Sequence, residues 1–309
     1  MYVDPQIKSF LKDLESNDAP HPVDMGLENA RDGFSQLWRA VNPPNRILER
    51  NDEINIPGPA GDIRCKIYST SKSDHSLPVL VYFHGGGCCL MSPEDFEGTN
   101  TVLADEAECV VVVPQYRLAP ENPFPAPLED CYATLRWVQE NANKIGGDSS
   151  RVAIAGDSGG GYLTAAVSLE SKLKNTPQPI LQILIYPMTD MAGLSTSRIE
   201  QTMFLDDRTL QWVIDMHAGD NRLDPRASPI HAKDHTNLAP ALIIAAGIDP
   251  LLDEGKAYAS LLQKSGVRTH YQLYEGVVHG FFNFSGFSDQ ARLAVQQVVG
   301  ALKTAFANN

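Results

Sequence analysis

Ser158 stands in the string GDSGGG, residues 156–161. A serine hydroxyl attacks a carbonyl well only when a neighbouring base takes its proton and a third group orients that base. Downstream, Asp249 in AAGIDPLLDEG and His279 in YEGVVHGFF offer an acid and an imidazole. Upstream, HGGGC at 84–88 sets three consecutive glycines directly after the apolar run VLVYF. Such a run is costly in chain entropy. A flexible turn is its plain explanation. The chemical one is bare backbone aiming N–H groups at an oxygen on which negative charge develops, where losing one donor typically costs about 10²–10³ in turnover. Together these residues suit nucleophilic acyl transfer.

Nearly the same hexapeptide occurs in a loop between the strands of a β-barrel and in a tight strand-to-helix turn. The surrounding residues decide between them. RVAIA is a short apolar run ending at Gly156, and GGGYLTAAVSLESKL after Ser158 has the composition of a helix. Strand, turn and helix raise the serine above the carboxyl edge of a sheet, with a helix N-terminus and its free amides beside it. The barrel setting of trypsin-like peptidases needs a histidine and an aspartate upstream of the serine. Only His21, between prolines, His75, in the polar stretch SKSDHS, and His84, leading the glycine run, lie there. That setting is rejected.

In the strand-to-helix setting the partners follow in the order serine, acid, histidine. Asp249 lies just past the apolar segment ALIIAAG, and His279 lies in the loop before the last helix. Asp253 is the rival acid, but its place at a helix start suits capping. His270 is the rival base, but it sits inside the strand-like VRTHYQLY. His231 and His235 are four apart between prolines and lack the glutamate of a His-Glu-x-x-His helix, so they read as solvated loop residues and no metal is expected.

The elements that must position these groups alternate. EINIP, IRCKIYS and LPVLVYF read as strands, the last apolar throughout, as a strand covered on both faces should be. Residues 94–107 precede CVVVVPQYR, a helix at 127–142 precedes RVAIAG, ILQILIYP follows, then a helix over DEGKAYASLLQKSG and a C-terminal helix at 288–307. This pattern predicts an α/β protein with a mostly parallel sheet and helices on both faces. PQIKSFLKDLES and GLENARDGFSQLWRAV have helical spacing, with Leu27, Ala30, Phe34, Leu37, Trp38 and Val41 on one stripe. Residues 188–235 break the alternation with turn residues and one apolar helical piece, TMFLDDRTLQWVIDMHAG. The segment reads as an insertion above the sheet packed with the N-terminal helices. An ordinary crossover helix is the alternative.

Composition excludes other classes. The chain has 309 residues, 43% hydrophobic and 20% charged, with a formal net charge of −13. A phosphate-rich partner would be repelled, so nucleic acid and anionic membrane are not expected partners. Five cysteines, at 65, 88, 89, 109 and 131, are an odd number with two adjacent, which fits a reducing compartment better than a disulfide framework. The first residues lack an apolar run of signal-peptide length, and no stretch of about 18 apolar residues occurs. A cytoplasmic location is expected.

HGGG at 84–87, YRLAPE at 116–121, GDSGGG at 156–161, DPLLDEG at 249–255 and HGF at 279–281 together resemble the hormone-sensitive-lipase-like carboxylesterases, bacterial esterase family IV. The resemblance runs from about residue 50 to the end. It implies an eight-stranded α/β-hydrolase sheet with a helical cap. Residues 1–45 and the inserted 188–235 would form the cap, and 46–187 with 236–309 the catalytic domain. Carried over position by position, Ser158, Asp249 and His279 take the places of a catalytic triad, and Gly86, Gly87 and Gly159 those of the oxyanion donors. His84 would hold the glycine run, and YRLAPE would shape its wall, with a buried Arg117–Glu121 ion pair expected.

Two departures carry consequences. Gly159 stands where the family usually has alanine, so a looser turn with the same amide is expected. Cys88 and Cys89 stand where a bulky residue is common, so a thiol sensitive to bulky alkylating agents is expected there. Phe34, Trp38, Met203, Phe204 and Trp212 would line the acyl or alcohol pocket. Packing of cap against sheet is the alternative for each. The implied activity is hydrolysis of short- to medium-chain carboxylic esters through an acyl-enzyme, without metal or organic cofactor. A small-molecule-binding protein on the same scaffold, and an amidase or thioesterase, are the alternatives. A homodimer is expected from the relatives.

Overall fold

The computed structural model describes residues 2–16, 20–71, 76–193 and 195–308. His75 lies outside them. Among the described residues eight strands form one sheet: β1 (Arg50–Gly58), β2 (Gly61–Ser69), β3 (Leu77–Phe83), β4 (Val110–Pro114), β5 (Gly147–Asp157), β6 (Gln182–Ile185), β7 (Ala241–Ile248) and β8 (Thr269–Val278). Their order is β1-β2-β4-β3-β5-β6-β7-β8. The β1–β2 and β2–β4 pairs are antiparallel and the others parallel. β4 and nearly all of β3 are buried, as apolar runs without alternation require of strands covered on two faces.

Among the described residues ten α-helices accompany the sheet. α1 (Pro5–Glu15), α2 (Pro22–Met25) and α3 (Leu27–Val41) precede it; α4 (Glu97–Ala107), α5 (Ala126–Asn141) and α6 (Gly159–Leu173) follow β3, β4 and β5. α7 (Thr196–Glu200) and α8 (Asp207–His217) lie between β6 and β7, α9 (Leu252–Lys264) joins β7 to β8, and α10 (Asp289–Ala307) closes the chain. α4 packs with α10, and α5 with α6. Tyr258 and Leu262 of α9 join Ala165 and Leu169 of α6 in a second apolar cluster against Leu184 and Ile243. Among the described residues no helix is long and apolar enough to cross a membrane.

Strand register places the loops. Phe83 pairs with Gly156, so the glycine run after β3 emerges beside Ser158 after β5. Past a register shift, Ile248 pairs with Val278, so Asp249 and His279 leave neighbouring strands side by side. The helical piece expected across residues 202–219 is shorter than its apolar pattern. α8 begins at Asp207 because the Asp206 carboxylate caps it, accepting the Thr209 amide at 2.7 Å. Met203 and Phe204 therefore precede the helix.

Candidate active site

Ser158 occupies the turn between β5 and α6 with φ +56° and ψ −117°, a conformation that costs a non-glycine residue about 1–3 kcal/mol. Its neighbours over-determine it. Its amide donates to Ile185 O at 2.9 Å, and its carbonyl accepts from Tyr162 N at 3.0 Å. Close packing behind the turn needs glycine: a Cβ on Gly160 would stand 1.9 Å from Phe83 O.

The His279 ring lies between the serine and Asp249. Nε2 is 2.8 Å from Ser158 Oγ and Nδ1 is 2.7 Å from Asp249 Oδ2. An ionised carboxylate only accepts, so Nδ1 carries the proton and Nε2 accepts from the serine hydroxyl. Asp249 is fully buried, and its Oδ1 accepts the Leu251 amide at 2.8 Å. The Tyr186 ring centroid is 4.7 Å from that of the imidazole. Asp253 points elsewhere, accepting the Ser197 amide of α7 at 2.9 Å. His270 stays within β8.

The glycine run closes the site from the β3 side. Cys89 N and Leu90 N both donate to Gly86 O at 3.0 Å, folding the run tightly, with φ +105° at Gly86 and +60° at Gly87. Among the described residues no protein acceptor takes the amides of Gly86, Gly87 or Gly159, and the first amides of a helix have no partner within it. A Cβ on Gly159 would lie 2.8 Å from Gly87 N and 2.9 Å from Gly87 Cα. The turn expected to be looser for want of the alanine methyl is instead occupied by the run itself. His84 supports the run: Nδ1 lies 2.8 Å from Gly85 O, and the ring stacks on Tyr116 at 4.3 Å. Burial lowers the His84 pKa to about 4, so it is a neutral donor.

Several expectations about the loop wall are corrected. Arg117 and Glu121 do not pair. Arg117 turns to the buried Asp130 carboxylate with two side-chain contacts of 2.9 and 2.8 Å, while the exposed Glu121 is held at 2.7 Å by both terminal nitrogens of Arg31. Arg31 also donates to Cys89 O at 2.8 Å and Ala119 O at 2.9 Å, stitching α3 to the glycine run. Neither Cys88 nor Cys89 has any exposed surface; burial pushes both thiols up, Cys89 to about 12, which leaves no reactive thiolate at the site. His235 is buried with its Nε2 2.8 Å from Pro229 O, and His231 lies 2.9 Å from Asp190. Only His231 is a surface residue.

A cavity of about 900 Å³ opens in front of Ser158, bordered by Gly86, Gly87 and His279 and roofed by side chains of α1, α3, residues 203–206 and α8. Phe34, Trp38, Met203 and Phe204 line it; Trp212 does not. Leu210 and Val213 supply the face of α8 that borders the cavity, and about 100° per residue turns Trp212 off that face. At the outer end His21 Nε2 lies 2.7 Å from Asp206 Oδ2, tying α2 to the start of α8. Arg31, Asn283 and Tyr186 went unnoticed in the sequence. Arg31 sits on a helix with no motif, Asn283 lies two residues past HGF without belonging to it, and Tyr186 stands near the end of the apolar segment ILQILIYP, which carries no motif.

With this geometry in view, similarity to known proteins follows the same lines. Residues 80–283 match a family described as the alpha/beta hydrolase fold. The chain is 33% identical to esterase LipI of Mycobacterium tuberculosis over 95% of this chain and 93% of that protein. It is 36% identical to carboxylesterase NlhH of the same organism over 91% and 90%. Among solved structures, a hyperthermophilic esterase from the archaeon Pyrobaculum calidifontis superposes with a TM-score of 0.93, at 36% identity, over 98% of this chain and 99% of that one.

Proposed function

The chain belongs to this family of the alpha/beta hydrolase fold, and we propose that it cleaves carboxylic esters by a serine route through Ser158, His279 and Asp249. It is a carboxylic ester hydrolase; the proposal concerns the residues and the substrate. What supports the reading is the unbroken chain of short contacts, 2.8 Å from Ser158 Oγ to His279 Nε2 and 2.7 Å from His279 Nδ1 to Asp249 Oδ2.

In this reading His279 takes the Ser158 proton as Oγ attacks the ester carbonyl. The amides of Gly86, Gly87 and Gly159 receive the oxyanion. His279 then protonates the leaving alcohol, and water repeats the sequence on the acyl-enzyme. The buried Asp249 holds the imidazole in its tautomer and stabilises the cation that forms. Residues 1–45 and 188–235 act as the cap, and 46–187 with 236–309 as the catalytic domain. The cavity, about 900 Å³ and lined mainly by apolar side chains, suits short- to medium-chain esters. A cytoplasmic location and a homodimer belong to the same reading. They are checked by cell fractionation and by sedimentation.

The test compares wild type with Ser158→Ala on nitrophenyl esters of increasing acyl length, matched amides and thioesters. Ester turnover lost by at least about 10³ in the variant is expected, since a triad without one member acts poorly. Equal turnover by the two proteins refutes the assignment of Ser158. Amide or thioester cleavage exceeding that of esters replaces the substrate class.

A further inference from the structure

Asp157, the residue before the proposed nucleophile, carries a carboxylate that the reaction scheme leaves unused, and it is 1% exposed. Its Oδ1 accepts the Tyr82 hydroxyl at 2.9 Å, and its Oδ2 accepts Asn283 Nδ2 at 3.2 Å. The Gly85 backbone lies close enough to the same carboxylate to hold its pKa down. A Cβ on Gly85 would stand 2.7 Å from Oδ2, so the glycine run lies directly against it. These contacts come from three segments: the end of β3, the start of the glycine run, and the 3₁₀ turn Phe281–Phe284 just after His279. Asn283 also donates to the Tyr186 hydroxyl at 3.4 Å, and it is the Tyr186 ring that faces the imidazole.

We propose that Asp157 is a positioning residue for the ester hydrolysis: its carboxylate fastens the glycine run and the histidine loop to the turn bearing Ser158, and it stands as a second buried negative charge near His279. The proposal rests on the reading of Ser158 and His279 given above. Donors converge on both oxygens, and an ionised carboxylate accepts them all without leaving one buried and unpaired. An imidazolium forming in a low-dielectric site is favoured by each nearby anion.

The groups facing Asp157 are Tyr82, Tyr116, Tyr186 and His279, and those facing the imidazole are Ser158, Asp249, Asp157 and Tyr186. Burial raises Tyr82, Tyr116 and Tyr186 well above their usual range, and it holds the nearby His84 neutral down to about 4. The same burial raises Asp157 to about 6, against the pull of Tyr82, His279, Asn283 and Gly85. Near pH 6 the acid side of the rate profile therefore reports this carboxylate.

Three substitutions separate charge from scaffold. In Asp157→Asn the amide can turn its oxygen to Gly85 and Asn283 and its NH₂ to the Tyr82 oxygen, so the shape stays and the charge goes. Asp157→Ala removes both. Tyr82→Phe leaves the charge and removes one donor. The pH profiles of kcat and kcat/KM are measured on a nitrophenyl ester, with thermal unfolding of each protein and Ser158→Ala alongside. Asp157→Asn is expected to fold, to lose about tenfold in kcat with little change in KM, and to move the acid limb to lower pH, because the buried carboxylate whose protonation sets it near 6 is gone. Tyr82→Phe is expected to move the limb to higher pH, because the carboxylate has lost a donor and protonates sooner. Asp157→Ala is expected to lose about 10² or more, as the run of oxyanion donors is released. An Asp157→Asn protein with wild-type kcat and an unmoved limb, beside an inactive Ser158→Ala, overturns the proposal and leaves the reading of Ser158 intact. A Ser158→Ala protein at the wild-type rate overturns that reading and the proposal with it. If Asp157→Asn does not fold, the Tyr82→Phe limb decides: upward supports the proposal, unmoved overturns it.

Discussion

Gly159→Ala restores the residue usual in the resembled family, yet here it should damage the enzyme. The added Cβ would meet Gly87 N at 2.8 Å, Gly87 Cα at 2.9 Å and Cys88 N at 3.2 Å, all backbone atoms that no rotamer change can move. Ordinary contact begins near 3.4 Å, so the glycine run must retreat by about 0.6 Å, the difference between 3.4 and 2.8 Å. That run carries the Gly87 amide, and the retreat lengthens its bond to the developing oxyanion. Outright loss of such a donor costs about 10²–10³ in kcat, so a displaced donor should cost roughly 10–10². The substitution also replaces glycine by alanine in the first turn of α6, which favours the helix by up to about 1 kcal/mol. Stability and activity should therefore part: Tm unchanged or raised, kcat lowered, KM nearly constant. Steady-state hydrolysis of a nitrophenyl ester and a melting curve on the same preparation measure both. A Gly159→Ala protein with wild-type or higher kcat would refute the reasoning, since the run's position would then not depend on this contact.

Three further outcomes are expected. Arg31→Ala frees the Cys89 and Ala119 carbonyls and Glu121 together, and should lower Tm by several degrees and kcat by about tenfold; an Arg31→Ala enzyme with wild-type kcat would show that the stitch does not reach the oxyanion donors. The five thiols are all buried, so a bulky maleimide should label none of them in the native protein and all of them in denaturant, with activity preserved; rapid native labelling at Cys88 or Cys89 contradicts the packing. His217 is buried with its pKa lowered to about 4 by desolvation. Its folded pKa lies below the unfolded value near 6.5, so its contribution to stability is present above about 6.5 and is lost as pH falls toward 4. His217→Phe should accordingly flatten the fall of Tm between those pH values, and an unchanged slope would show that His217 does not take up a proton on unfolding.

Much of the scaffold could be read locally. The apolar runs of β3 and β4 lack alternation because two layers of helix cover them, and that burial is written in the residues themselves. The strand–turn–helix around Ser158 was equally visible, because a turn at +56° with backbone crossing behind it needs glycine at fixed offsets. The choice between Asp249 and Asp253 rested on placement alone. It is the Ile248–Val278 register, beyond a shift in the β7–β8 ladder, that brings Asp249 rather than Asp253 to the imidazole. Trp212 failed as a cavity residue because an apolar side chain does not declare which face of its helix will meet the cleft.

By itself, the sequence determined the strands and helices, the sharp turn at Ser158 and the order of the groups along the chain. These depend on neighbours a few residues apart, whose side-chain periodicity and backbone freedom are local properties. Only the tertiary structure decided which charges pair and how closely the backbones approach. Arg31 reaches Glu121 across 90 residues while Arg117 turns to Asp130, and the glycine run fills the space beside Gly159. Such choices turn on distances of a few tenths of an ångström and on burial, which exist only once segments remote in the chain have been packed together.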